Sequence, residues 1–213
     1  MGRVEKIYEN IKANNEHLQD EVHLFFHLLM SSDFEEITES RFTSVFLLKM
    51  FYAFLKGANL DMILCEIRNL ENPDVNYKRM KPATQYKHIP LKGLWHKHFE
   101  QVGVRSMALN IKSQIKSNNG FFKEFSDICN DPNLPIIDKA SKLAFLSSGK
   151  QYLEKIKSGG LTGEWIIYHV HNNKNYYLNV GKHSDGDEIL AEEIRNITLI
   201  EFPQFKDEIP LFA

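Results

Sequence analysis

Cysteine is scarce in this sequence of 213 residues. The two cysteines, Cys65 and Cys129, lie far apart, and neither belongs to a CxxC pair. A disulfide framework and a cysteine-based zinc ribbon both need more cysteines at closer spacing. Both are therefore excluded, and this cysteine usage is typical of a protein from a reducing compartment.

The sequence contains no apolar run long enough to span a membrane. The most apolar run, Phe42 to Leu55, has 14 residues and includes Lys49, whereas a spanning helix needs about 20 apolar residues. The first residues, MGRVEKIYENIK, also lack the apolar segment of a signal peptide. We therefore predict a cytoplasmic protein that does not bind membranes.

The motifs of several common enzyme classes are missing as well. The sequence contains no GxxxxGK[ST], GxGxxG, GxSxG or HExxH. P-loop NTPases, Rossmann dehydrogenases, α/β-hydrolases and zincins are therefore not expected. No motif that is present identifies a family.

Glycine and proline are few, with 11 and 7 residues, below their combined share of about 12% in average proteins. This favours long regular segments, and apolar residues recur at helical spacings of three and four up to residue 157. After Ser158-Gly159-Gly160 the period changes to two. The runs Glu164 to His171 and Tyr176 to Val180 flank an Asn-rich turn, which is typical of a β-hairpin. Asp187 to Leu199 then returns to helical spacing.

These patterns predict an α+β fold that is mainly α. We expect a multi-helix body with a C-terminal β-hairpin–helix (ββα) unit. The predicted domains are 1–158, a helical domain with a basic loop at 75–99, and 161–213, the ββα unit packed on it. An isolated hairpin is only marginally stable in water, so this packing is needed.

Charge is distributed unevenly along the chain. The net charge of −2 excludes a globally basic nucleic-acid binder, yet the 25 residues from Val75 to Phe99 include six lysines and arginines and no acidic residue. Cations that neutralise phosphates, with aromatic rings that stack on bases, suit single-stranded nucleic acid. The alternative is a solvated loop that balances an acidic body. The residues predicted to bind a phosphate-rich ligand are Lys78, Arg79, Lys81, Lys87, Trp95, Lys97 and His98.

The densest part of this basic segment is Leu91 to Phe99, which we interpret as the start of a helix. Lys92 and His96 would then share one helix face. A phosphate-holding ammonium beside a proton-transferring imidazole is the minimal equipment for metal-free RNA cleavage. We predict His96 and His183 as an acid–base pair, with Lys92 holding the phosphate. The alternative for His96 is a packed, hydrogen-bonded side chain.

One set of residues has the spacing of metal ligands on a helix. Asp20, His23 and His27 would lie on one helix face, where two imidazoles four residues apart can share a divalent ion. The acidic residue usual between such histidines is missing. Polar positions beside an apolar stripe explain the same pattern, and we predict no metal or other cofactor.

The C-terminal unit is rich in histidine. His169 and His171 are expected on one face of a strand, and His183 follows the hairpin. Asp185 and Glu188 are spaced to form a capping box at the start of the last helix. Capping is the simpler interpretation of these acids, and an imidazole-lined face that receives a phosphate is the alternative.

Two functions therefore follow from the sequence. The first is a cytoplasmic protein that binds RNA or another phosphate-rich ligand, with a small metal-independent ribonuclease of the toxin or defence type as its specific form. The second is a non-enzymatic protein-binding module, such as an immunity or adaptor protein. A nuclease depends on at least one histidine for turnover, whereas a binding module tolerates every single His→Ala change.

Overall fold

The computed structural model describes residues 1–13, 15–72, 80–100, 104–158, 160–161, 163–182 and 185–212. They form two compact units. The sheet unit comprises Met1–Tyr77, Pro82–Gln101 and Gly163–Ala213, and the helical unit comprises Lys78–Lys81 and Val102–Thr162. The predicted division into domains 1–158 and 161–213 stays a prediction, and the sheet joins residues from both ranges.

Three helices of the sheet unit begin at a capping side chain. Asn15 accepts a hydrogen bond from the Leu18 amide, Thr43 from Phe46 and Asn59 from Asp61, so each cap satisfies an otherwise unpaired amide. The helices of the sheet unit are α1 (Arg3–Glu9), α2 (Glu16–Met30), α3 (Phe34–Thr38), α4 (Ser44–Leu55), α5 (Leu60–Glu71) and α10 (Asp187–Glu201).

The helical unit consists of short helices, in agreement with the helical spacing predicted up to residue 157. They are α6 (Val104–Ser117), α7 (Phe121–Asn130), α8 (Ile136–Phe145) and α9 (Gln151–Lys157), with a π-helical turn at Leu146–Lys150. Phe121 and Leu146 are buried, but several large apolar side chains of this unit are exposed. Packing within the helical unit therefore buries only part of its apolar surface.

A four-stranded antiparallel sheet has the order β1-β2-β3-β4. Its strands are β1 (Thr84–Gln85), β2 (Trp95–Phe99), β3 (Glu164–His171) and β4 (Lys174–Gly181). The predicted hairpin is confirmed, with a tighter turn than the Asn-rich run suggested. Only Asn172 and Asn173 lie between the strands, at φ 49° and 62°, which asparagine tolerates better than most residues. The mainly α, α+β fold class is therefore also confirmed.

The helix predicted from Leu91 is wrong, because Trp95–Phe99 forms β2. Lys92 and His96 therefore do not share a helix face. Gly93 has φ 91° and interrupts any helix from Leu91. The strand pairs with β3 across more than 60 residues of sequence, and this long-range pairing decides between helix and strand for so short a run.

Each face of the sheet supports its own core. On one face Ile166, Tyr168 and Tyr177 pack with α2, α4 and α5. On the other face Ile167 and Leu178 pack with α10 and the C-terminal segment, which contains the 3-10 turns Pro203–Asp207 and Pro210–Phe212. Every second residue of β3 therefore faces this C-terminal segment, and it is there that the histidines lie.

Candidate functional site

The basic segment forms the tip of the β1–β2 hairpin. Beyond the strands the ladder continues, because the Tyr86 amide donates to the Leu94 carbonyl at 2.8 Å and the Gly93 amide donates back to Tyr86 at 3.1 Å. Leu91 is fully buried and anchors the loop 87–92 in the core. The basic tip consists of exposed Lys87, His88 and Lys92, with Ile89 80% exposed between them.

The other predicted cations do not join this tip. Lys97 is buried in the sheet unit, where its Nζ lies 3.2 Å from the Glu66 carboxylate. Alternation along β2 places Lys97 on the opposite face from His96 and His98. Lys81 is exposed in the helical unit. Lys78 and Arg79 lie outside the described residues.

The predicted stacking residue Trp95 also lies on the Glu66 side of the sheet. Its ring centroid is 6.4 Å from that of Tyr168, in a stacked arrangement, and the side chain packs against the larger core. Part of its apolar area is therefore already used inside the protein. Trp95 and His96 are neighbours in sequence but point to opposite faces, as the pleat of a strand requires.

His96 belongs to a cluster of rings on the face that carries the C-terminal segment. Its ring centroid lies 4.7 Å from Tyr86, 5.3 Å from Trp165 and 5.6 Å from His98. His98 is buried and its Nδ1 lies 3.2 Å from the Gly163 carbonyl oxygen. Burial raises the pKa of the Tyr86 hydroxyl, and the charge of Asp187 adds to this. We call these four rings the imidazole–indole cluster.

The predicted acid–base pair is only partly placed by the structure. His96 is half-buried within the imidazole–indole cluster, while Lys92 lies on the basic tip. His183 lies outside the described residues, so its pairing with His96 stays a prediction. Two imidazoles with neighbouring rings do occur here, since His98 takes the position beside His96.

A second histidine cluster lies further along β3. His169 and His171 point to the same face, as predicted, and both contact Glu208 of the C-terminal segment. The Glu208 Oε2 atom lies 2.7 Å from His171 Nδ1 and 3.3 Å from His169 Nε2. Because a carboxylate only accepts hydrogen bonds, both facing imidazole nitrogens carry protons in this arrangement.

The ionisation of this cluster reflects burial and pairing. Burial lowers the pKa of His169, while the hydrogen bond to Glu208 opposes that shift. The hydrogen bond from His171 is the main reason why the pKa of the Glu208 carboxyl is below its usual range. At neutral pH the cluster therefore holds an ionised carboxylate beside two imidazoles.

The second histidine cluster is buried against Phe205 on one side and is open to solvent on the other. The Phe205 ring lies 4.9 Å from His169 and 5.4 Å from His171 between centroids, and it is fully buried. The side chains of His171 and Glu208 are 20% and 37% exposed. An open cavity of about 570 Å³, lined by residues 206–210 and 212, adjoins Glu208. Solvent and small solutes therefore reach the carboxylate side.

The three residues of α2 that have the spacing of metal ligands, Asp20, His23 and His27, do not form a ligand cluster. His23 contacts the Tyr8 hydroxyl and Gln19, and Asp20 and His27 are exposed on the helix surface. Within the described ranges, the one group of three or more His, Cys, Asp or Glu side chains with converging ligand atoms is His169, His171 and Glu208. The three residues on α2 are polar positions beside an apolar stripe.

The predicted capping box is wrong. Gly186 is the N-cap of α10 and provides no side chain. The Asp185 carboxylate instead accepts a hydrogen bond from the Lys182 amide at 2.9 Å. Asp187 and Glu188 lie in the first helical turn, where negative charge suits the helix dipole.

The role of the candidate site is inferred from its own chemistry, because neither family models, curated proteins nor solved structures provide a match to this chain. Among the described helices, none is both long and apolar enough to cross a bilayer. The residue of the candidate site that sequence reasoning missed is Glu208, whose spacing from His171 matches no motif.

Proposed function

We propose that this protein binds RNA or another phosphate-rich ligand through the basic tip of its β1–β2 hairpin. The observation that supports this most is the joint exposure of Lys87, His88 and Lys92 on one short loop. From residue 80 to residue 99 the chain contains no acidic residue that would neutralise them locally. Exposed ammonium groups on a short anchored loop suit contacts with successive phosphates.

The distribution of charge between the units supports the same function. The helical unit contains 12 lysines and arginines against 5 acidic residues, and the sheet unit contains 14 against 23. The net positive charge of the helical unit attracts a polyanion over a long range. The net negative charge of the sheet unit repels a polyanion except at the basic tip. The near-zero net charge therefore conceals two surfaces of opposite sign.

The first prediction concerns the salt dependence of RNA binding. We expect a fluorescently labelled single-stranded RNA to bind the full chain at low salt, and to bind more weakly as salt rises. Each phosphate contact contributes about 0.7 to the slope of log affinity against log salt for single strands. The double variant Lys87→Ala, Lys92→Ala should therefore lower that slope by about 1.4.

The matched control is Lys6→Ala, Lys12→Ala, which removes the same charge from exposed positions at the N-terminus of the sheet unit. It should leave the slope close to that of the wild type. An equal loss in both double variants would show that binding depends on overall charge and not on the basic tip. Absence of RNA binding by the wild type at low salt would overturn the proposal.

Cleavage is the catalytic form of this proposal, with His96 as the catalytic residue. One imidazole accepts the proton of a ribose 2′-hydroxyl as its oxygen attacks the adjacent phosphorus. The bond from phosphorus to the 5′-oxygen breaks, and a second imidazole donates a proton to that oxygen. The products are a 2′,3′-cyclic phosphate and a 5′-hydroxyl end. His183 is the predicted partner, and Lys92 holds the phosphate.

The second prediction tests this step with His96→Ala. We expect turnover of single-stranded RNA to fall at least about a hundredfold, the lower range for loss of a general acid or base. Exposed His17 provides the control, because His17→Ala removes an imidazole from the surface of α2. Mass spectrometry of the products would identify the cyclic phosphate. Equal turnover in both variants would exclude His96 from catalysis.

The alternative function, a protein-binding module, is favoured by one observation in the helical unit. Phe122 is 75% exposed and Ile136 and Ile137 are 87% and 70% exposed. Exposed apolar surface in one unit favours a protein interaction surface. If the protein is a binding module, it does not bind RNA at low salt, and every single His→Ala variant still binds the partner protein.

A further inference from the structure

We infer that His169, His171 and Glu208 form a binding site for Zn²⁺ with an open coordination position. This inference does not depend on the RNA-binding proposal, because it concerns other residues of the sheet unit. It rests on the types of the three side chains, on their convergence and on their access to solvent.

The ligand types are those that zinc prefers in open sites. Two imidazoles and one carboxylate are a known ligand set for zinc that keeps a fourth position for water. Thiolates, which favour closed structural sites, are absent from this cluster. The same two-histidine, one-carboxylate set also binds Fe²⁺, so the metal competition below includes that ion.

The distances fit a tetrahedral ion after small side-chain rotations. The three ligand atoms lie within 4.8 Å of one another. Bonds of about 2.0–2.1 Å at tetrahedral angles separate ligand atoms by about 3.3 Å. The distance from Glu208 Oε2 to His169 Nε2 is 3.3 Å, and to His171 Nδ1 it is 2.7 Å. An ion that binds between the three ligand atoms replaces the two hydrogen bonds that Glu208 Oε2 accepts from the histidines.

Proton positions must change when the ion binds, and the surroundings of His171 suit this change. The Nδ1 proton of His171 and the Nε2 proton of His169 both have to leave these nitrogens before their lone pairs can bind zinc. Each neutral ring then carries its proton on the other nitrogen, which is Nε2 in His171. The Asn172 side-chain amide lies 2.8 Å from that Nε2 atom. Rotation of the amide presents its oxygen as acceptor, which gives His171 the outer hydrogen bond that zinc-bound imidazoles normally have.

The protein holds the ligands in place from two directions. Alternation along β3 fixes His169 and His171 on one face, and the buried Phe205 ring contacts both imidazoles. Glu208 follows Phe205 by three residues, so the ring that orients the histidines also positions the carboxylate. Partial exposure of His171 and Glu208 leaves room for a water ligand on the ion. Zinc would make that water more acidic and thus a nucleophile or a base.

The test is a zinc titration of the full chain after treatment with a chelator, in competition with a chromophoric indicator. We expect one Zn²⁺ per chain, and tighter binding of Zn²⁺ than of Fe²⁺ under anaerobic conditions. Glu208→Gln and His171→Ala should each weaken binding by about a hundredfold or more, beyond the tenfold to hundredfold effect of an outer partner. Zinc should raise the thermal midpoint of the wild type but not of these two variants, because an ion that binds the folded state stabilises it.

Asp207→Asn and His17→Ala are the matched controls, since both remove the same kind of group from exposed positions. They should bind zinc like the wild type. Thermal unfolding in chelator shows whether each variant is folded, and His171→Ala keeps the test valid if Glu208→Gln does not fold. No binding by the wild type would overturn the inference. So would equal affinity in Glu208→Gln, His171→Ala and the controls, because the ion would then lie elsewhere.

Discussion

Replacing Glu71 with leucine is expected to lower the free energy of unfolding by about 3–5 kcal/mol, the usual cost of removing one partner of a buried ion pair. The Glu71 carboxylate lies 2.8 Å from the Arg41 guanidinium and accepts a hydrogen bond from the Tyr177 hydroxyl at 2.6 Å. It also accepts one from Asn175 at 3.3 Å. Arg41 is 7% exposed, so its charge would remain in a largely dry environment.

The measurement is urea denaturation of the wild type and two variants. Glu39→Ala is the control, because Glu39 also approaches Arg41, at 3.9 Å, from a side chain that is 58% exposed. Its midpoint should stay close to that of the wild type, since solvent screens an exposed pair. A Glu71→Leu protein as stable as Glu39→Ala would mean that water already solvates Arg41.

Replacing Phe205 with alanine is expected to cost about 3–5 kcal/mol, as for other buried Phe→Ala changes. The side chain is fully buried and contacts the rings of His169, His171, Tyr176 and Phe202. Its loss leaves a cavity between the sheet and the C-terminal segment. The same change should weaken zinc binding, because Glu208 would no longer be fixed opposite the histidines.

Phe122→Ala is the control for this change, because Phe122 is 75% exposed in the helical unit. Its unfolding midpoint should differ little from that of the wild type, since exposed side chains contribute little packing. Both variants are compared by chemical denaturation, followed by the zinc titration. A Phe205→Ala protein with wild-type stability would show that the C-terminal segment is not held on the sheet by this ring.

Local signals in the sequence predicted the elements that local interactions determine. The Asn59 cap of α5 is such an interaction, because it joins residues only two apart in the sequence. Asn172 and Asn173 predicted the hairpin because their backbone preference suits a tight turn between two β-branched, aromatic runs. Alternation then placed His169 and His171 on one face of β3. None of these inferences required knowledge of a distant residue.

Elements that depend on distant residues escaped prediction. Trp95–Phe99 has too few residues to distinguish a strand from a helix by period, and only its pairing with β3 determines the outcome. Lys97 was predicted on the binding surface because nothing near it in sequence reveals Glu66 as its buried partner. Glu208 joins the histidines only because the C-terminal segment folds back over the sheet. Such contacts are set by tertiary packing, which a single sequence does not display.

The pairing of β2 with β3 has a consequence for how this chain accommodates its helical unit. Phe99 is the register partner of Glu164, so the two points between which residues 102–162 are inserted are adjacent in the sheet. Topologically, residues 102–162 occupy the position of a hairpin loop between β2 and β3. Loop-closure entropy rises only by about 0.6 kcal/mol per doubling of length, so the sheet tolerates long and short connections alike. A change in the length of this insertion therefore adds little loop-closure cost to the pairing of β2 with β3.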